Sequence, residues 1–483
     1  MTPYVEALLQ IAKNASDEGH SAEAAALLRL LIGRCWPLEA DALALLGAAS
    51  RRVGEMDSAE WLLQRALTVS PAHAWARAEL GETLRLLGRP VEAVVHLEKA
   101  VAQDPSLTTA QAGLAAALTA ADRPADALHW ARMTLAAHTD RAEAHGLMGD
   151  VLARLGRTTE ALAEYEKALA IRPTESRARY GRGLVRLELG DMAQGWPDHE
   201  ARLEVTKAGG YTQKLWHGQK RMKRRTVLLH AEQGLSETIQ FIRYAALVAK
   251  TGARIVVLAQ RGIGRICATA PGVDSVIEQG ESLPPFDLHC PLMSLPAVFR
   301  TTTATIPAAI PYLHADEFVR AEWRQTLKPW RKMRVGLAWQ TTPDRSSGAL
   351  HLAMLTPLLA RPDIEWHAIQ RITADDDRAA LAGIEGLAHH TLALTDYTQA
   401  AGLIAEMDLV ISADSPEAHL AGALGVPAWV MLAHHANWTW LRDRDDSPWY
   451  PGMRLFRQAH PGDWHSVLEQ VAHNLDAWSV QQS

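Results

Sequence analysis

At 483 residues the chain is too long for one hydrophobic core, so two or three domains are expected. Hydrophobic residues make up 48% and charged residues 22%, and the net charge of −6 gives no electrostatic reason for nucleic acid or an anionic membrane as the partner. Cys35, Cys267 and Cys290 form no CxxC pair, which argues against a disulfide framework or a zinc site. The N-terminus does not read as a signal peptide, and no run approaches the ~18 apolar residues of a membrane span, so a cytoplasmic location is expected.

The first two-fifths are periodic. Pro37, Pro71, Pro105 and Pro173 are separated by 34 residues or a multiple of it, and Gly47, Gly81, Gly149 and Gly183 follow ten places after the proline position. Ala25, Ala59, Ala93, Ala127 and Ala161 keep the same step, as do Gly54, Gly88, Gly156 and Gly190. The pattern has a packing logic: small residues where two helices of a hairpin cross, glycine where the first helix ends, proline where the second ends. It resembles the tetratricopeptide repeat, with frames opening near residues 6, 40, 74, 108 and 142 and a further hairpin from 176 to about 205. The expected architecture is an α-solenoid over residues 1–205 whose concave face grips a protein or peptide, or else serves self-association into a homo-oligomer.

After Leu203 the period stops. The polar stretch EVTKAGGYTQKLWHGQKRMKRR reads as a linker, with Lys220, Arg221, Lys223, Arg224 and Arg225 as solvated charge. Strand-like segments then alternate with helices: TVLLHA, ARIVVLA, DSVIEQ and FDLHC, then RVGLAWQ, EWHAIQ, MDLVISA and AWVMLA. IQFIRYAALVAKTG reads as one helix closed by Gly252, and EAHLAGALG as another. Such alternation predicts parallel sheets in two Rossmann-like halves, residues 206–320 and 321–483, with ligands at the C-terminal strand ends. The tryptophans of this half read as core, and the pairs His389–His390 and His434–His435 as surface. Asp375, Asp376 and Asp377 read as an acidic helix start, and no metal site is expected.

Two segments are specific beyond fold: HAEQGLSETIQFIRYA, and the run from MDLVISADSPEAHLAGALGVPAWVML through RDDSPWYPGMRLFRQ. With FDLHCPLMSLPAVF and the repeats in front, they resemble bacterial proteins in which tetratricopeptide repeats precede a GT-B glycosyltransferase domain similar to heptosyltransferases. More distantly, they resemble protein O-GlcNAc transferases and flagellin glycosyltransferases. The family's first loop carries Gly-Asp where this chain has Ser236 and Glu237. The resemblance therefore makes Glu237 the general base, one methylene longer than the family's aspartate, on an acceptor-side loop that includes Gly234, Ser236 and Gln240. It likewise makes Asp414, Ser415 and His419 donor contacts, with a plain N-cap at Ser415 and a core histidine at His419 as the alternatives; Gln340, Arg345 for its charge on a diphosphate and Gln370 at a strand end are further donor-side candidates. Ser236 would deny the turn a glycine's positive φ.

The resemblance implies an inverting transferase without metal or cofactor, moving a sugar from a nucleotide-sugar substrate to a hydroxyl of a protein acceptor recruited by the repeats. The departures at polar positions keep a second expectation open: a catalytically impaired relative that acts as a protein-binding or scaffold module.

Overall fold

A computed structural model describes residues 22, 26, 40–206, 210–327, 332–339, 350–370, 381, 384, 386–390 and 392–482. The chain divides into two compact units, Met1–Gly181 and Arg182–Ser483.

In the first unit, helices pair as α1 (Ala40–Val53) with α2 (Met56–Val69), α3 (Ala74–Leu86) with α4 (Pro90–Gln103), α5 (Thr108–Ala120) with α6 (Pro124–Ala137), and α7 (Ala142–Arg154) with α8 (Thr158–Ile171). The recurrent small residues sit at the crossings. A Cβ at Gly47 would lie 2.6 Å from Leu63, one at Gly81 2.5 Å from Leu97, and one at Gly149 2.6 Å from Tyr165. Ala59, Ala93, Ala127 and Ala161 are wholly buried. Gly54, Gly88 and Gly156 end the first helices of their hairpins at φ 93°, 76° and 71°. In the third hairpin Asp122 takes the same place at φ 57°, since a short polar side chain tolerates the left-handed region.

The next hairpin, α9 (Ser176–Glu188) and α10 (Met192–His199), continues the sequence period but packs differently. Leu187, Met192 and Trp196 belong to the same hydrophobic core as the α/β strands that follow. The compact units part at Gly181/Arg182, inside α9, and Trp196 of this hairpin packs with the strands that follow.

The second unit contains two wholly parallel sheets. The first orders β1 (Lys214–Leu215), β2 (Thr226–His230), β3 (Arg254–Ala259), β4 (Ser275–Glu278) and β5 (Leu288–Pro291) as β1-β5-β2-β3-β4. The second orders β6 (Met333–Ala338), β7 (Ile364–Ala368), β8 (Leu387–His389), β9 (Leu409–Ala413), β10 (Ala428–Leu432) and β11 (Met453–Arg457) as β11-β10-β9-β6-β7-β8. This is the doubly wound order, in which the winding direction reverses between β6 and β9, as it does between β2 and β5 in the first sheet. The apolar runs of β9 and β10 are buried throughout, as strands covered on both faces require.

Two expectations change. The supposed linker contributes edge strand β1, and Trp216 and Met222 within it are buried, although Lys220, Arg221, Lys223, Arg224 and Arg225 stay exposed. The single helix expected over 239–252 breaks into α11 (Leu235–Phe241), a 3₁₀ turn at Ile242–Tyr244 and α12 (Ala245–Ala249). Its backbone ladder is interrupted by side chains: the Tyr312 hydroxyl donates to the Ile239 carbonyl at 2.9 Å, and Arg243 Nε to the Gln240 carbonyl at 2.8 Å.

Candidate functional site

Each sheet presents one carboxylate just past the strand at its reversal. Glu237 follows β2, on the first turn of α11; Asp414 follows β9, one residue before Ser415 caps α13 (Pro416–Leu424). Glu237 turns back on the loop it came from: its Oε2 occupies the space beside Gly234, 2.7 Å from where a Cβ there would stand. Burial raises its pKa, against the backbone N–H groups of Glu237 and Gly234, which favour the charged form. The loop itself is braced. Gln260, at the end of β3, donates from Nε2 to the Gln233 and Gly234 carbonyls at 3.0 Å each and accepts from Thr238 Oγ1 at 2.9 Å.

Asp414 keeps 28% of its side-chain surface accessible, yet protein surrounds it closely enough to push its pKa up to about 6. Burial is the main cause, opposed by the Trp440 indole, while the charge of Glu237 adds to the rise and the Asn437 backbone and Arg457 lower it. Two carboxylates, one from each sheet, thus feel each other. An accessible acid whose charge is unfavourable is the chemistry of a proton acceptor or of a group that awaits a ligand.

The wall behind Asp414 is under backbone strain. Leu441 adopts φ 53°, ψ −179° directly after Trp440, a region that suits glycine and not leucine. Arg457 holds this turn by donating Nη2 to the carbonyls of Trp440 at 2.7 Å and Leu441 at 2.6 Å.

The other expected residues divide clearly. Ser415 is buried, and its hydroxyl is engaged with Ser412 Oγ at 2.9 Å and with the Ala418 N–H at 3.4 Å, so its side chain is a helix cap. His419 is buried behind Asp414, with Nε2 3.9 Å from Asp414 Oδ1 and Nδ1 2.9 Å from the Tyr450 hydroxyl. Gln370 is buried and accepts the Trp339 N–H at 2.6 Å, joining the ends of β6 and β7. Gln240 does not line the loop: it is buried on the inner side of α11, where Oε1 accepts from Thr439 Oγ1 at 3.4 Å and Nε2 has no partner among the described residues. Ser236 is helical, so the turn needs no positive φ there. Gln340, Arg345 and the acidic run Asp375–Asp377 lie outside the described residues. Among those described, no group of three or more His, Cys, Asp or Glu could hold a metal ion, and no helix is long and apolar enough to cross a membrane.

Three features escaped the sequence reading. Arg243 is buried without a carboxylate partner among the described residues, donating to the Trp449 carbonyl at 2.7 Å and the Tyr312 hydroxyl at 2.9 Å, with its guanidinium 4.4 Å over the Tyr312 ring and 4.7 Å over that of Tyr450. Arg202 is fully buried between Glu200 and Glu232, the latter at 2.8 Å. His390, expected at the surface, lies half-buried 3.1 Å from His367 under Trp323. The sequence signals for the first of these are slight: aromatic residues flanking Arg243 in FIRY, and the Trp-Tyr pair of PWYP.

Comparison with known proteins bears on the repeats above all. Tetratricopeptide-repeat family models match residues 49–108, 84–151 and 149–190. Among solved structures, a thermophilic tetratricopeptide-repeat protein of Thermus thermophilus is 19% identical with a TM-score of 0.34, covering 38% of this chain and 99% of that one. PilW, a type IV pilus biogenesis factor, is 17% identical with a TM-score of 0.36, covering 44% and 96%. Protein FlbA of Caulobacter vibrioides is 25% identical over 321 residues, 59% of this chain and 52% of its own, so the chain spans about half the length of that relative. The N-terminal region of this protein is a tetratricopeptide-repeat solenoid, and a region of parallel sheets follows it.

Proposed function

We propose that the α/β unit is a GT-B-like inverting glycosyltransferase, that its substrate is a nucleotide sugar, and that the repeats recruit the protein whose hydroxyl accepts the sugar. The observation that carries this reading is the pair of carboxylates, each past the strand where its sheet reverses and each raised in pKa, with the charge of Glu237 felt at Asp414. Doubly wound sheets bind ligands at that place, and a carboxylate with a raised pKa is a better base. In this scheme Glu237 takes the proton of the acceptor hydroxyl as its oxygen attacks the anomeric carbon. The bond from that carbon to the diphosphate breaks, and the diphosphate leaves with the electron pair. The N–H groups at the start of α13 face the departing charge, with Asp414 beside them.

One observation favours the second reading, a protein-binding module without turnover. Glu237 is folded onto its own turn and Ser415 is occupied as a cap, so neither presents a free group to a ligand. Calorimetric titration with a panel of nucleotides and nucleotide sugars separates the two. Binding of one donor, with Glu237→Gln retaining that affinity and losing ~10²–10⁴-fold in transfer, supports the enzyme. No binding of any donor supports the module, and equal transfer by Glu237→Gln removes Glu237 as the base.

A further inference from the structure

Behind Asp414 runs a line of buried groups that no step above uses. Arg243, Tyr312, Tyr450 and His419 are exposed by 4%, 4%, 0% and 2%. They come from both halves of the α/β unit: Arg243 from the 3₁₀ turn that follows the Glu237 helix, His419 from α13, and Tyr450 from the loop before β11.

Counting protons along this line gives it a direction. Arg243 has only donors, and Nη2 gives one to the Tyr312 oxygen at 2.9 Å. Tyr312 has a single proton, which goes to the Ile239 carbonyl at 2.9 Å and not to the Tyr450 hydroxyl at 3.5 Å. Tyr450, to which Arg243 can only donate, is then left with one good acceptor for its own proton among the described residues, His419 Nδ1 at 2.9 Å. If Nδ1 carried a hydrogen, the Tyr450 proton would face only the distant Tyr312 oxygen, which already accepts from Arg243. A buried hydroxyl without a partner disfavours that arrangement on the order of tenfold or more. The Tyr450 proton therefore points to Nδ1, and the hydrogen of the neutral imidazole sits on Nε2, the nitrogen 3.9 Å from Asp414 Oδ1.

We infer that Arg243, Tyr312 and Tyr450 are a positioning relay: they fix His419 as the Nε2–H tautomer and so aim a donor at the Asp414 carboxylate from behind. The opposite tautomer would turn a lone pair on that carboxylate. Burial and the Arg243 charge, which hold the imidazole pKa down at about 3, keep the ring neutral. Besides His419, Asp414 meets the Trp440 indole, the charge of Glu237, the Asn437 backbone N–H and Arg457. The relay also ties the two carboxylates together. Ile239 and Gln240, whose carbonyls receive Tyr312 and Arg243, lie two and three residues after Glu237 on the same helix. That this serves sugar transfer rests on the proposed activity; the tautomer itself does not.

The test is a ¹⁵N spectrum of histidine-labelled full-length protein between pH 5.5 and 8, with His419→Gln identifying the resonance. A bare Nδ1 and a protonated Nε2 that do not change across this range are expected. Tyr450→Phe, which removes the donor to Nδ1, should lower the tautomer ratio by on the order of tenfold. An Nδ1–H tautomer, or a ring that becomes imidazolium within the range, overturns the relay. The wild-type spectrum decides this alone should Tyr450→Phe misfold. A protein that shows the expected tautomer but binds no nucleotide sugar keeps the relay and loses the transferase reading; turnover with the wrong tautomer does the reverse.

Discussion

The two units solve the same packing problem in opposite ways. In the repeats, a small residue recurs at the crossings and exposed ion pairs recur on the surface: Arg89–Glu92, Arg123–Asp126 and Arg157–Glu160 link the same two places in successive hairpins at 2.7, 2.8 and 2.6 Å, while Arg51–Glu79 and His145–Glu164 are largely buried and do not recur. In the α/β unit nothing recurs, and polar groups are drawn inside: Arg202, Arg243, Gln240 and His419. Burying such groups is costly unless each finds partners, and on the proposed function those near Glu237 and Asp414 are kept for the site.

The hairpin at the border tests that contrast most severely. Trp196 is 2% exposed, donates its indole N–H to the Thr301 carbonyl at 2.9 Å, and stacks edge-on with Trp438 and Trp449. Trp196→Ala should cost about 3–5 kcal/mol and lower hydrogen-exchange protection in the sheets while the repeats up to residue 171 keep theirs. Loss of protection confined to the repeats would return the hairpin to the solenoid.

Matched glycines give the next comparison. A Cβ at Gly81 would stand 2.5 Å from Leu97, and one at Gly422 2.5 Å from both Tyr450 and Met453. Leucine at either place should destabilise by about 1–3 kcal/mol in urea titration. Only Gly422→Leu should also disturb the His419 ring, because Gly422 lies one turn beyond it on α13 and admits the Tyr450 ring. An unchanged His419 resonance in that variant would separate the packing from the relay.

Asp414 gives a smaller effect with an unusual sign. Its pKa is about 6 in the fold against ~3.9 unfolded, so the folded state binds the extra proton between these values and stability falls as pH rises from about 4 to 6. Asp414→Asn removes that loss. It should leave stability unchanged near pH 4 and raise it by about 2 kcal/mol at pH 7, read as a pH series of denaturation midpoints. A variant less stable than the parent at pH 7 would mean that the carboxylate is a structural partner and not a strained functional group.

How legible this was depended on sequence distance. The repeat could be read because its contacts lie within 34 residues and recur; even where Asp122 replaces glycine, the backbone shape is kept. Eight strands were legible from apolar runs, whereas β1, β8 and β11, all at sheet edges, were not, because Lys-Leu and Leu-Ala-His are too short for a pattern and Met453–Arg457 interleaves arginine with apolar residues. Asp414 and Glu237 stood out by resemblance, but their mutual influence needed the sheet order. The relay was out of reach: Arg243 meets Tyr312 across 69 residues and Trp449 across 206, and the break in the expected helix follows from the same contacts.

The subtlest way to sharpen the comparison is Gly234→Ala. Here the glycine is not needed for its backbone, since φ −78° and ψ 178° suit any residue. What a methyl group would meet is the free end of the Glu237 side chain, 2.7 Å away, and a carboxylate on a flexible stem can move where a tyrosine ring cannot. The expected change in stability is therefore below about 1 kcal/mol, since alanine stiffens the unfolded chain while the displaced carboxylate loses its backbone partners. The chemistry should respond more than the fold. Both N–H groups that steady the charged form of Glu237 are lost to it, so its pKa should climb further above the ordinary carboxylate value, as followed by ¹³C titration of labelled glutamate. The same methyl at Gly81 would push on the branch point of Leu97 and register as lost stability with no titrating group affected. A Glu237 titration unmoved by Gly234→Ala would show that its raised pKa owes nothing to the turn, and that the carboxylate already points away from its own loop.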